Sequence, residues 1–130
     1  MIRAITPADK AQWARLFVAY GIFYEMAFTR EIVDAVVAVQ DATITGFALY
    51  RELYDTFTAG PAWHLDDLYV DPAFRGSGTA TDLIEAVSII ARENGGGTVR
   101  WITAADNTTA QRVYDRVATR KTWVTYEKEN

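Results

Sequence analysis

Cysteine is absent from this 130-residue chain, and histidine occurs once, at His64. Disulfides, thiolate nucleophiles, iron–sulfur clusters and cysteine-type zinc sites are excluded, and so are multi-histidine metal sites. Serine is nearly as scarce. Ser77 and Ser88 stand alone, and neither sits in a Gly-x-Ser-x-Gly elbow. No apolar run approaches the ~18 residues of a membrane span, and the first residues lack the apolar core of a signal peptide. A cytoplasmic protein without membrane partners is expected. A basic excess is also missing: 13 Lys and Arg face 17 Asp and Glu, a net charge of −4, which argues against a general nucleic-acid binder.

What is present is enough apolar material for one core. Half the residues are hydrophobic and 13% are aromatic, so residues 1–130 are expected to form a single domain. The acidic excess lies in the first half, where residues 1–70 hold nine acids and five bases. Such a surface suits a cationic small molecule, and it equally suits simple solubility.

The patterning predicts an α/β domain. Ile2–Ile5 reads as a short strand, and Thr6-Pro7-Ala8-Asp9 opens a helix reaching about Tyr20. A second, shorter helix is expected from Thr29 to Asp34. Val36–Gln40 and Ile44–Arg51 read as strands joined by a tight turn at Asp41, followed by a strand from Ala62 to Val70. Ala80, Leu83, Ile84, Val87, Ile90 and Ala91 make one apolar face of a helix over residues 80–93. Gly95-Gly96-Gly97 stops it. A buried strand over Thr98–Thr103, a helix over Asn107–Val117 and a final strand over Thr122–Glu127 complete the expectation. The result is a mixed, mostly antiparallel sheet of about six strands flanked by helices, with one β-α-β crossover.

The chemistry concentrates where the strand Leu65-Asp66-Asp67-Leu68-Tyr69-Val70 meets the loop Asp71-Pro72-Ala73-Phe74-Arg75-Gly76-Ser77-Gly78-Thr79-Ala80. A helix starting there leaves its first amides without internal partners and adds partial positive charge. Gly76, Ser77 and Gly78 leave room for a phosphate against that backbone, and Arg75 adds a formal charge. A dinucleotide fingerprint would need a third glycine where Thr81 stands. A P-loop would need a lysine, and none is near.

Arg75 to Ala80 fits Arg-x-x-Gly-x-Ala and resembles the pyrophosphate-binding motif of the GCN5-related N-acetyltransferases (GNAT). Downstream, Asn107, Ala110 and Tyr114 resemble that family's Asn-x-x-Ala-x-x-x-Tyr helix. Where the family has Gly-Phe after this helix, the chain has Val117-Ala118-Thr119. Ile44–Tyr50 and Leu65-Asp66-Asp67-Leu68 are similar to strands of the diamine and polyamine branch. The resemblance implies a GNAT fold and transfer of an acetyl group from acetyl-CoA directly to a small amine, polyamine or amino-acid-like acceptor. It also implies cofactor binding by Leu68, Tyr69, Val70, Arg75, Gly76, Ser77, Gly78, Thr79, Ala80, Asn107 and Tyr114. No metal is implied. Relatives are often dimers, so a homodimer is an expectation.

Direct transfer requires a neutral amine. With a pKa of ~10.4, an alkyl ammonium is deprotonated at pH 7 at a cost of ~4.6 kcal/mol. Asp66 is the candidate base, through a bridging water, and Asp67 the candidate contact for the substrate cation. Adjacent strand residues point to opposite faces, so one acid is expected at the cleft and the other in solvent. An alternative is a pair of exposed acids at a bulge. Tyr24 and Glu25 are further candidates for acceptor binding. His64 reads as a strand-edge residue. Tyr114 is the candidate acid; full proton transfer from a phenol to a thiolate is uphill by ~2 kcal/mol, whereas donating a hydrogen bond is not. Amides near Tyr69 and Val70 would polarise the acetyl carbonyl. Asn107 or Asp106 could instead cap the helix that follows. The competing function is a non-catalytic module that binds acyl-CoA and reports it to a partner.

Overall fold

The computed structural model describes residues 1–20 and 34–130. Within them the order is β1 (Ile2–Ala4), α1 (Lys10–Tyr20), β2 (Ala35–Gln40), β3 (Thr43–Asp55), β4 (Gly60–Val70), α2 (Thr79–Glu93), β5 (Val99–Arg100) and α3 (Thr108–Val117). The strands form one sheet in the order β1-β2-β3-β4-β5. The first four are antiparallel neighbours, and β5 lies parallel to β4 after the crossover through α2.

β2 and β3 join through the two residues Asp41 and Ala42, both at positive φ (49° and 63°). A two-residue hairpin loop needs that conformation, because its twist matches the twist of the strands it connects. A short 3-10 turn, Pro7–Asp9, leads into α1. There Asp9 accepts from the Thr6 amide at 2.8 Å and forms two bonds to Arg3, at 2.7 and 2.9 Å.

α1 and α2 each seal one face of the sheet. On one side Trp13 and Leu16 of α1 meet Ala35, Val37, Ile44, Phe47, Leu49 and Tyr69. On the other, Leu83, Ile84 and Val87 of α2 meet Val36, Ala38, Ala48, Leu65 and Val70. The alternation along β2 is the two-residue period of a strand buried on both faces.

The fold matches the expected class, with five strands among the described residues where about six were expected. Two expectations are corrected. The strand expected over Thr98–Thr103 contains only Val99 and Arg100 and is not fully buried. Beyond it the Ala104 carbonyl accepts from the Asn107 amide at 3.0 Å, and Gln111 Nε2 donates to the Ala104 and Ala105 carbonyls at 2.9 Å each. Those bonds place Ala104 and Ala105 in the turn that opens α3. Thr122–Glu127 forms no strand and is exposed throughout. Its alternation permits a strand, but a strand also needs a neighbour to pair with. The short helix expected from Thr29 falls outside the described residues.

Candidate functional site

β4 and β5 touch only at Trp63 opposite Val99 and His64 opposite Arg100. The contact is pinned by the Trp63 amide on the Thr98 carbonyl and by Trp63 Nε1 on the Gly96 carbonyl, each 2.9 Å. Gly97, at φ 97°, allows the approach; a Cβ there would collide with the Pro61 carbonyl. Past this point β4 continues to Val70 paired with β3 on one side and, among the described residues, with no strand on the other. The sheet therefore opens between its last two strands.

The backbone along this opening has a definite direction. The Asp71 amide donates to Thr45 of β3 at 2.8 Å, whereas the Val70 carbonyl accepts from Arg75 Nε at 2.8 Å, away from β3. Strand alternation then turns the amides of Leu68 and Val70 toward the opening and that of Tyr69 toward β3. Tyr69 contributes its ring instead, which lies beneath the Arg75 guanidinium at 5.4 Å.

At the head of the opening stands the glycine loop. Asp71 starts it: its carboxylate accepts from the Ala73 amide at 3.0 Å and from Arg15 of α1 at 3.1 Å. These bonds hold its pKa below the ordinary value, the Ala73 amide contributing most. Gly76 and Gly78 follow with φ of 85° and 86°, and a Cβ on either would meet open space. Ser77 Oγ donates to the Phe74 carbonyl at 2.9 Å and lies 3.1 Å from Thr79 Oγ1. None of the amides from Gly76 to Thr81 has a backbone acceptor among the described residues. A row of free amides at a helix start, with Arg75 beside it and no side chain in the way, suits a pyrophosphate. The residues present therefore fit the phosphate end of acetyl-CoA.

Tyr114 of α3 stands on the α2 side of the sheet, edge-on to Trp101 with ring centroids 5.4 Å apart. Burial raises its phenol pKa above the ordinary value. Proton release is thus harder than for a free tyrosine, while donation of a hydrogen bond is retained. Asn107 caps α3, its Oδ1 accepting from the Ala110 amide at 3.3 Å. Its amide nitrogen remains the group it could offer a ligand.

The two acids of β4 sit at a register shift. Leu49 pairs with Asp67 while Tyr50 pairs with Leu65, which leaves Asp66 as the extra residue of a bulge. Asp66 reaches Arg51 at 2.9 Å and His64 at 3.8 Å. Arg51 lies two residues beyond Leu49 on β3, and Leu49 faces α1. Asp66 and Asp67 therefore share the α1 side of the sheet, and the expectation of opposite faces is corrected. The bulge cancels the alternation that ordinary strand geometry imposes. Arg51 is a neighbour of the site that sequence reasoning missed; its position two residues along β3 from a buried leucine was the available signal. Tyr24 and Glu25 lie outside the described residues. Among the described residues no group of three His, Cys, Asp or Glu could hold a metal ion, and no helix is long and apolar enough to cross a membrane.

Comparison with known proteins gives consistent matches. The model of the acetyltransferase (GNAT) family matches residues 2–118. A D-amino-acid N-acetyltransferase of Saccharomyces cerevisiae is 26% identical over 144 residues, covering 98% of this chain and 89% of that protein. An aminoglycoside N(6')-acetyltransferase of Stenotrophomonas maltophilia is 33% identical over 107 residues, covering 72% of this chain and 69% of that protein. The crystal structure of a ribosomal-protein-alanine N-acetyltransferase from Brucella melitensis superposes with a TM-score of 0.88 at 23% identity, covering 100% of this chain and 99% of that one, a likeness of fold.

Proposed function

The chain belongs to the GNAT acetyltransferase family, and from that premise we propose that it transfers the acetyl group of acetyl-CoA directly to the amine of a small cationic acceptor. The carrying observation is the open seam between β4 and β5, headed by the free amides of Gly76 to Thr81. Acetyl-CoA, when bound, supplies an activated thioester together with the pyrophosphate that Arg75 and those amides would hold.

The chain's own groups cover the remaining requirements. The Leu68 and Val70 amides are donors fixed by the strand and suit a carbonyl oxygen gaining negative charge. Tyr114 is assigned as hydrogen-bond donor to the departing sulfur, a role that its raised pKa does not impair. Asp66 is assigned the ammonium proton through one water, and Asp67 the cationic acceptor. Asp66 hands that first proton on to solvent; the new C–N bond then forms as the C–S bond breaks, and the second nitrogen proton goes to the departing sulfur, so that an amide and the free thiol of CoA result. Cysteine is absent, so no thiol can carry an acyl group between donor and acceptor.

The acceptor class rests on the shared side of Asp66 and Asp67 and on the surplus of acids in residues 1–70. The matched relatives named for D-amino acids and for aminoglycosides support it, since both acceptor classes present amines. The test measures release of free CoA from acetyl-CoA with diamines, polyamines, amino acids, aminoglycosides and peptides, alongside acetyl-CoA binding by thermal shift. Amine-dependent release is expected. Binding without release from any amine would replace this reading with that of an acyl-CoA sensor.

A further inference from the structure

The acceptor side of the sheet carries a cation as well as acids. Arg51 lies on the α1 face of β3, directly opposite His64 of β4. Its Nη2 stands 2.9 Å from Asp66 Oδ1, and His64 Nε2 stands 3.8 Å from the same oxygen. Asp66 Oδ2 has no partner among the described residues, so it is the oxygen left for a water. Asp67 pairs with Leu49, two residues along β3 from Arg51, and completes the group.

Arginines elsewhere in the fold are tied down more firmly. Arg3 makes two bonds to Asp9, and Arg15 bonds both Asp71 and the Ile44 carbonyl. Arg51 has Asp66 alone among the described residues, and its side chain is 61% exposed. A guanidinium stays charged throughout the working pH range. Beside acids that are to receive an ammonium, it would repel a second ammonium on the same acceptor. The site therefore asks for one amine and one anion.

We propose that Arg51 is a specificity-determining residue that takes the carboxylate of an α-amino acid, whose neighbouring amine is the one acetylated. This inference rests on the acetyl-transfer reading and names its acceptor. Arg51 and Asp66 are in contact, so the two groups they serve must also be close together. An α-amino acid carries its amine and its carboxylate on one carbon. The planar fork of an arginine suits a carboxylate at two points. Exposed ion pairs are weak, so the incoming carboxylate can take the place of Asp66 at Arg51. Asp66 then turns to the water and the ammonium. Binding the right acceptor thus frees the base. A diamine fails twice, because nothing displaces Asp66 and the second ammonium meets Arg51. The bond changes are those of the acetyl transfer already described; Arg51 holds charge and exchanges no proton.

Free-CoA release from acetyl-CoA is measured with alanine, with alaninamide, which lacks the negative charge, and with 1,4-diaminobutane. The kcat/KM for alanine is expected to exceed the others by about tenfold. Arg51→Gln should erase that preference, Arg51→Lys should restore part of it, and Arg51→Glu should place the diamine above alanine. Equal values for alanine and alaninamide in the parent overturn the proposal. So does a preference that survives Arg51→Gln, or a loss in that variant shared equally by every acceptor. Turnover of no amine at all defeats the acetyl-transfer reading itself. NMR titration with alanine and alaninamide then decides: tighter binding of alanine, lost in Arg51→Gln, upholds the role of Arg51, and equal binding overturns it. Arg51 is exposed, so circular dichroism of the variants should match the parent.

Discussion

The Tyr114 ring meets Trp101 edge to face, 5.4 Å between centroids, in a contact that involves the ring alone. The phenol oxygen is thus separable from the packing. Tyr114→Phe should keep the melting temperature and acetyl-CoA affinity while lowering kcat by ~10²-fold, the scale of a lost general acid or donor. Steady-state kinetics with equilibrium binding checks this; equal losses of kcat and affinity would remove Tyr114 from the donor role.

Gly76 sits at φ 85° with open space where a Cβ would go. Gly76→Val therefore acts through backbone strain of ~1–2 kcal/mol and through crowding of the amide row. Acetyl-CoA binding by calorimetry should weaken at least tenfold. Unchanged affinity would count against the whole loop as the phosphate site.

Asp66 and Arg51 form an exposed ion pair at 2.9 Å, and such pairs contribute less than ~1 kcal/mol. Asp66→Asn should therefore leave stability nearly intact and lower kcat at least tenfold. Asp67→Asn should instead raise KM for a cationic acceptor with kcat little changed. The reverse pattern would exchange the two roles.

Asp9 is buried, and its bond to Arg3 outweighs desolvation to bring its pKa from 3.8 down to about 2. A depressed carboxylate stabilises the fold above its unfolded pKa and loses that contribution as pH falls toward the folded one. The difference corresponds to about 2 kcal/mol at neutral pH. Asp9→Asn should be less stable by that order at pH 7 in urea titrations, with the gap closing between pH 4 and pH 2.

Ala42 holds a left-handed conformation, φ 63°, in the β2–β3 hairpin loop. Asp-Gly is the preferred dipeptide for that loop. Ala42→Gly should raise stability by ~0.5–1 kcal/mol, measured as a higher melting temperature with activity unchanged.

Much of this architecture was legible in the residues because the signals were periodic. The apolar face running from Ala80 to Ala91 marked α2, and the small residues before it marked the glycine loop. Asn107 read as ligand or cap; the structure shows the cap through its Oδ1, and its amide nitrogen remains for a ligand. The bulge at Asp66 stood in the residues only as the alternative to regular alternation, because two adjacent aspartates read alike with or without an extra residue in the register. The length of β5 was not legible, because Val99 to Thr103 is strand-like everywhere, whereas its pairing with β4 ends at Arg100. Thr122–Glu127 shows the same limit. Alternation describes one strand's two sides, whereas a ladder is a property of a pair.

A ladder of two rungs, Trp63 to Val99 and His64 to Arg100, holds β5 to the rest of the sheet. Such an attachment opens far below the free energy of global unfolding, as a cooperative unit of its own. In heavy water the amides around Trp63 and Val99 should therefore exchange long before those of β2 and β3. A molecule spanning the seam would add rungs in effect and slow that exchange, so deuterium uptake at this one joint becomes a clock for occupancy.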